Sequence, residues 1–541
     1  MRFGTYLPDK PENEPRKTYL PGSPEREELV KKLDELSSKI IEIPVIVGGE
    51  EYYTNDVVEV VMPHKKDVRI AEAHLAGEGL LHEAADVALS AKDAYMNLLT
   101  YERSAIFNKA AALISGPLRS TLNAATMLGL SKNIYEAEID VALELTDLLR
   151  FNVYWMNQIY LEQPDSPEIS FNRMEFRPLE GFVLAITPFN FSSIAGNLPS
   201  SPAIMGNTVV WKPASSALYS AYHIMRVFQQ AGLPDGVINF VPSHGALVGK
   251  TLLSHPKLGG VHFTGSINTL HYLWKKLGEN VETYRSFPRL VGESGGKDFV
   301  FAHISADKDS LITALIRGAF GYQGQKCSAA SRAYIPESLW EKIKDEIIEQ
   351  VSKIKFGDIK DFSNFMGAII NEQQFNKINE YLIFIKNDED HVILYGGSSD
   401  DSEGFFIEPT LVRTYNPISK IMKEEIFGPV LTIYVYQDDE FGDTLELCDS
   451  TSPYGLTGSV FAKDRNAISK AEKVLGYSAG NFYINDKPTA AVVNQQPFGG
   501  SRKSGTNDKA GSKYNLLRWV SFRAIKENPD PPKNYKREFM K

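Results

Sequence analysis

The sequence predicts an α/β protein built on two largely parallel sheets, and three observations carry that reading. Across residues 181–292, continuously apolar strand segments alternate with segments of helical period, the pattern of parallel strands covered on both faces. A second series of the same kind begins at Asp298. At 541 residues the chain also exceeds what one core supports, so two or three domains are expected.

Taken in order, residues 1–60 are rich in proline and charge, with one helix over 24–39, a hairpin over 46–52 and a strand over 57–61. From 68 to 151, Ala, Leu, Glu and Lys recur at helical spacing, which predicts a layer of helices broken near Gly116-Pro117 and Gly129. The run 169–177 alternates without an apolar face, as a protruding ribbon does. Strands at 182–186, 208–211, 237–241 and 260–263 then alternate with helices near 193–205, 216–230, 246–253 and 268–277, and a short strand at 289–293 closes the series. In the second series the helices fall near 307–320, 339–354 and 372–387, and the strands include 298–301, 332–335, 430–435, 458–461 and 481–485. The tail, 528–541, is rich in Pro, Lys and Arg; it is expected to pair with the 169–177 ribbon or to lie free.

The net charge of −10 argues against a nucleic-acid or anionic-membrane surface. No apolar run approaches the length of a membrane helix, and residues 1–10 lack a signal-peptide core. A cytoplasmic enzyme is expected, or a mitochondrial matrix one if the chain is a form trimmed after import.

Chemistry concentrates in a few loops. Gly318-Ala319-Phe320-Gly321-Tyr322-Gln323-Gly324-Gln325-Lys326-Cys327-Ser328 delivers a cysteine through a glycine-rich turn. With two cysteines in the chain, no disulfide framework or thiolate metal cluster is available. Cys327 reads either as a small buried hydrophobe or as a nucleophile, whereas Cys448 sits in a helical pattern and reads as core. Phe263-Thr264-Gly265-Ser266 joins a strand to a helix whose first N–H groups suit a pyrophosphate, although the same turn is common without a ligand. Trp211-Lys212-Pro213-Ala214-Ser215 is a similar junction, its lysine either solvated or reaching ribose or phosphate. Asn190 either caps the next helix or donates to a developing oxyanion. Glu293-Ser294-Gly295-Gly296 offers a general base for water or a helix cap. Glu424-Glu425-Ile426-Phe427-Gly428-Pro429 sets a carboxylate and a ring before a turn. The ten histidines show no metal-ligand spacing and none neighbours Cys327, so a Cys-His hydrolase would need a tertiary contact.

In this order the motifs resemble the aldehyde dehydrogenase superfamily over about residues 40–525. Gln495-Gln496-Pro497-Phe498-Gly499-Gly500-Ser501-Arg502-Lys503-Ser504-Gly505-Thr506-Asn507-Asp508-Lys509 and Tyr19-Leu20-Pro21-Gly22-Ser23-Pro24-Glu25-Arg26 resemble, more narrowly, its branch acting on L-glutamate γ-semialdehyde. The resemblance implies the aldehyde dehydrogenase fold: a Rossmann-like NAD-binding domain, an α/β catalytic domain and a β oligomerisation flap. The implied segments are 1–155 (helical part of the NAD-binding domain), 156–180 (flap hairpin), 181–292 (Rossmann-like core), 293–499 (catalytic domain), 500–524 (return to the NAD-binding domain) and 525–541 (flap tail). It also implies NAD as cofactor, no metal, a small semialdehyde oxidised to L-glutamate in the second step of proline breakdown, and a homodimer or higher homo-oligomer.

By the same resemblance Cys327 is the nucleophile, Glu293 the base and Asn190 an oxyanion donor. Lys212, Ser215, Thr264, Gly265, Ser266, Glu425 and Phe427 would hold the cofactor, and Phe191, Ser328, Ala490, Ala491 and Phe498 the substrate. Two departures stand out. Ala490-Ala491 occupies the carboxylate-anchor loop where the family has glycine followed by serine or another small residue, which is expected to weaken binding. Ser215 replaces the glutamate of many NAD-preferring relatives, so some NADP use is expected. An acylating enzyme that passes its thioester to coenzyme A is the second reading, and Glu293 argues for water instead.

Overall fold

A computed structural model describes residues 6–540; residues 1–5 and Lys541, which belong to the N-terminal segment and the tail assigned above, lie outside the described residues. The runs of Val, Ile, Leu and Phe without polar alternation form strands buried on both faces, as helix-covered parallel sheets require. In the first seven-stranded sheet, Val45–Val47 (β1) and Glu50–Tyr52 (β2) make an edge hairpin. Phe182–Ile186 (β3), Val209–Lys212 (β4), Ile238–Phe240 (β5), Leu258–Thr264 (β6) and Arg289–Glu293 (β7) are parallel. Across the sheet the order is β7-β6-β3-β4-β5-β1-β2. The chain therefore runs outward from β3 to β5 and returns to the far side of β3 for β6. Open α/β sheets hold ligands at such a reversal, outside the carboxyl ends of the strands. The register brings those ends level, with Ile186 beside both Lys212 and Phe263, and Thr264 beside Glu293.

Asp298–Ala302 (β8), Ala330–Pro336 (β9), His391–Tyr395 (β10), Thr410–Thr414 (β11), Val430–Tyr436 (β12), Thr457–Phe461 (β13) and Asn481–Ile484 (β14) build the second sheet. Their order is β10-β11-β12-β9-β8-β13-β14, with β10 antiparallel to its neighbour. The β8-to-β9 crossover descends through the helix Lys308–Phe320, and the turn after that helix carries Cys327.

Two expectations need correction. Lys65–His74, whose residues from Val68 on were predicted within the helical layer, is a strand, antiparallel to Val57–Met62 and parallel to Ile41–Ile43. Pairing on both sides and burial of Ile70, Ala71 and Ala73 override its helix-compatible composition. The rest of the layer is helical, with Glu138–Leu145 in π-helical form. The ribbon Phe171–Pro178 does pair near the C-terminus, with Val520–Glu527: the ladder takes in 525–527, the start of the tail drawn from 525, but begins five residues earlier and does not extend into 528–540. Residues 520–527 alternate as a strand does, whereas the following segment carries prolines that cannot donate to a ladder. The ribbon leaves Phe171 and Phe522 exposed.

Candidate active site

The turn that carries Cys327 is held under backbone strain. After Phe320, Tyr322, Gln323 and Gly324 all take left-handed φ (52°, 55° and 68°), which for the two non-glycine residues persists only where surroundings impose it. Those surroundings are explicit. Gln323 Nε2 donates to the carbonyls of Ser131 (3.0 Å) and Ala368 (2.8 Å), and Gln325 Oε1 accepts from the Ile370 N–H at 2.9 Å. A Cβ at Gly324 would fall on the Gly428 carbonyl, so glycine is required there twice over. Asn190 Nδ2 donates to the Gln325 carbonyl at 3.1 Å, tying the β3 end to this turn.

Cys327 stands at the junction of two cavities and lines both. The outer crevice, about 750 Å³, opens at the carboxyl ends of β3, β4 and β6. Its walls include Asn190, Lys212, Ser215, Thr264, Gly265, Ser266, Glu425 and Phe427. Burial, with no carboxylate opposing it, lowers the Lys212 ammonium to a pKa of about 8. That is a cation held for an anionic or hydroxylated ligand. Ser266 caps the helix Ile267–Glu279, its hydroxyl accepting from Thr269 N–H at 3.2 Å. The remaining N–H groups of that first turn face the crevice as an anion site. Glu425 is partly buried and pushed up to about 7 by desolvation, while the Gly296 N–H, bonded to its Oε1 at 3.0 Å, opposes the rise. A Cβ at Gly295 would overlap the Glu425 carboxylate, which explains the Gly295-Gly296 pair after Glu293. Phe427, itself left-handed, meets Phe189 edge-to-face at 5.7 Å across the crevice. A partly buried cation, a helix start, a carboxylate and two rings fit a dinucleotide.

The inner cavity, about 550 Å³, is lined by Phe191, Glu293, Ser328, Ala491 and Phe498 among others. Ala490 is not part of its wall. Neither Ala490 nor Ala491 takes a left-handed φ, so alanine fits this backbone. Gln496 Oε1 takes the Val492 N–H at 3.0 Å, and the Ala490 and Ala491 N–H groups have no acceptor among the described residues. Glu293, at the end of β7, points to this inner side and Oε2 accepts from Gly500 N–H at 2.8 Å. Burial first, and Asp508 less, push its carboxyl up to about 8 against that hydrogen bond. The 495–509 stretch exists here as a clamp on the β7 end: Gly292 N–H donates to Thr506 Oγ1 (2.9 Å), and Ser294 N–H to the Ser504 carbonyl (2.7 Å). Burial and the carboxylates of Asp298, Glu425, Glu293 and Glu144 raise the Cys327 thiol well above the usual thiol range.

Sequence reading missed several wall residues. Glu144, Arg317, Lys326 and Lys487 line the inner cavity, and Lys326 Nζ pairs with Glu136 at 2.7 Å. Glu144 and Glu136 lie in the helical layer, where no local pattern distinguishes them from surface charges; Lys326 was legible only as the neighbour of Cys327. His262 also reaches the wall. Its Nδ1 is bonded to the Leu198 carbonyl at 2.9 Å, its ring packs on Trp519, and burial lowers it to about 4. It is a neutral core histidine and not a partner for Cys327.

A doubly wound sheet with a dinucleotide-sized crevice, joined to a second α/β domain that supplies a cysteine to it, is the architecture of a nucleotide-dependent enzyme. The sequence profile of the aldehyde dehydrogenase family matches residues 51–525, and the chain belongs to that family. Among its relatives, the mitochondrial delta-1-pyrroline-5-carboxylate dehydrogenase of Dictyostelium discoideum is 48% identical over 533 residues, covering 98% of this chain and 96% of its own. The human mitochondrial enzyme of that name is 46% identical, with 98% and 94% covered. The crystal structure of the Mycobacterium tuberculosis delta-pyrroline-5-carboxylate dehydrogenase bound with NAD superposes with a TM-score of 0.96 at 46% identity, each chain covered completely.

Proposed function

We infer that this chain oxidises L-glutamate γ-semialdehyde, formed by opening and hydration of 1-pyrroline-5-carboxylate, to L-glutamate with NAD as acceptor, the second step of proline degradation. The observation that carries the reading is the place of Cys327, its thiol shared by a dinucleotide crevice and a separate cavity that holds Glu293. The relatives' names supply the substrate. In this reading the Cys327 sulfur, deprotonated, attacks the aldehyde carbon, and the carbonyl electron pair moves to oxygen to give a thiohemiacetal. Asn190 Nδ2 and the Cys327 N–H donate to that oxyanion; one such donor typically contributes about 3 kcal/mol. NAD, held by Lys212, Ser266, Glu425 and their neighbours, accepts the hydride that leaves this carbon. The thioester left on Cys327 is then attacked by water as Glu293 takes its proton; the C–S bond breaks, and glutamate and the thiolate separate. NADH formation with pyrroline-5-carboxylate tests the assignment. Turnover of a simple aliphatic aldehyde with none of this substrate would remove it.

For the substrate, Phe191 and Phe498 flank the aliphatic chain, and Ser328 with the free N–H of Ala491 takes the carboxylate, Ala490 lying behind the wall. Ala491→Ser, restoring a hydroxyl on the cavity wall, is expected to lower the aldehyde KM roughly 2- to 10-fold, the worth of one hydrogen bond. An unchanged KM in steady-state assays would place the carboxylate elsewhere. Ser215→Glu sets a charge where a 2′-phosphate would lie, and is expected to raise the NAD:NADP ratio of kcat/KM roughly tenfold or more. The segment scheme given above belongs to this reading, with the flap's second strand at Val520–Glu527. That flap, with Phe171 and Phe522 exposed, pairs with a second copy in a homodimer, which light scattering would test. No helix of the described residues is long and apolar enough to cross a membrane. The compartment in this reading is the cytoplasm, or the mitochondrial matrix as for the relatives named mitochondrial.

A further inference from the structure

Behind Phe191 lies a fully buried ion pair that no step above uses. Lys132, in the turn after the helix Arg119–Leu130, donates to Asp140 Oδ2 at 2.8 Å, and both side chains are 0% exposed. Asp140 comes from the π-helical stretch Glu138–Leu145, a geometry frequent at functional sites. Its two oxygens accept from the N–H groups of Ser192 (2.9 Å) and Ser193 (2.8 Å). These open the helix Ser192–Ile204, whose cap position is Phe191, a side chain with no acceptor. The Asp140 carboxylate thus satisfies the helix start from outside and complements its dipole.

The other end of the pair reaches the nucleophile turn. The Lys132 ammonium stands 4.1 Å from the centroid of the Phe191 ring and 4.4 Å from that of Tyr322, a cation between two aromatic faces. Phe191 is a wall of the inner cavity and follows Asn190 directly; Tyr322 is the first left-handed residue of the turn that leads to Cys327. One buried pair therefore grips both segments whose spacing sets the distance from oxyanion donor to nucleophile. Buried ion pairs contribute little net stability compared with apolar side chains of the same size, so stability alone does not account for this one.

We propose that Lys132 and Asp140 are positioning residues, which hold the Asn190-Phe191 segment in register with the Cys327 turn. The proposal rests on the reading of Cys327 as nucleophile. Asp140→Asn keeps the shape and one acceptor. Lys132→Met keeps the length and leaves Asp140 unpaired in the interior, so the double variant Lys132→Met/Asp140→Asn, which removes both charges together, is the safeguard against misfolding. The measurement is single-turnover NADH formation from the semialdehyde, counted per NAD-binding molecule, with the NAD Kd and the aldehyde KM. Expected in Asp140→Asn and in the double variant are acylation slowed roughly 10- to 100-fold, as small misplacements of reacting groups cause, a raised aldehyde KM, and an NAD Kd within about twofold of the parent, since the crevice is untouched. Normalised acylation rates equal to the parent's in the double variant overturn the proposal, even if its melting temperature falls. A parent protein that forms no NADH would break the underlying functional reading instead.

Discussion

Cys327→Ala is expected to abolish NADH formation from the semialdehyde, with a loss on the order of 10⁴-fold or more, as removal of a covalent nucleophile causes, while NAD still binds. The two halves of that result follow from where the residue sits. The crevice is built from the first sheet's carboxyl edge, from Lys212 and Ser266, and from Glu425 and Phe427 of the second domain, none of which depends on sulfur. A methyl group in place of the thiol leaves the strained turn intact, because that turn is fixed by Gln323, Gln325 and Gly324. Fluorescence titration with NAD beside a steady-state assay separates the two functions. A variant that retained more than a few per cent of the parent's turnover would assign the chemistry to another group. A variant that lost NAD binding as well would show that Cys327 supports the crevice. Burial and four neighbouring carboxylates hold the thiol well above its usual range. Alkylation of the parent is therefore expected to be slow at neutral pH, since the thiolate is the reactive form.

The parts of this site that are local in sequence were legible; those made by tertiary approach were not. In the first sheet the central parallel strands announced themselves as largely apolar runs, whereas Thr410–Thr414 of the second sheet went unread. Residues lining the cavities stand within a few positions of the strand ends: Asn190 after β3, Lys212 on β4, Ser266 after β6 and Glu293 on β7. Those positions follow from strand–loop–helix geometry, which is short-range. Lys65–His74 was misread because its composition favours a helix, although its antiparallel partner Val57–Met62 lies only two residues before it and Ile41–Ile43 completes the pairing on its other side. The pairing of Phe171–Pro178 with Val520–Glu527 spans more than three hundred residues, and no local signal fixes such a register. Lys132 and Asp140 were invisible for a different reason. In a helical layer a buried charge and a solvated one have the same spacing, and only the fold shows that these two side chains are enclosed.

Glu293→Gln is expected to stop the reaction after one hydride has left the substrate: a burst of NADH equal to the active sites, then turnover reduced by about 10²- to 10⁴-fold, the usual worth of a general base. Glutamine is nearly isosteric and keeps an oxygen for the Gly500 N–H, so the clamp between β7 and the 500–509 loop should survive and acylation should stay close to the parent's rate. Intact-protein mass spectrometry after the burst should find one glutamyl group on Cys327, released by hydroxylamine. If steady-state turnover matched the parent's, water would be activated by another residue; if the burst itself vanished, Glu293 would be needed to deprotonate the thiol. The pH dependence of the parent separates deacylation further. Burial holds the Glu293 carboxyl protonated up to about 8, and only the carboxylate accepts a proton, so hydrolysis of the thioester should quicken as pH rises from 7 to 9 and then level. Cys327 carries the acyl group during this step and has no titrating thiol; Glu144, Lys212 and Glu425 also titrate between about 7 and 8, so the Glu293→Gln variant is what assigns the inflection. In Glu293→Gln the residual deacylation should lose that inflection, and an inflection that persisted near pH 8 would belong to a different base.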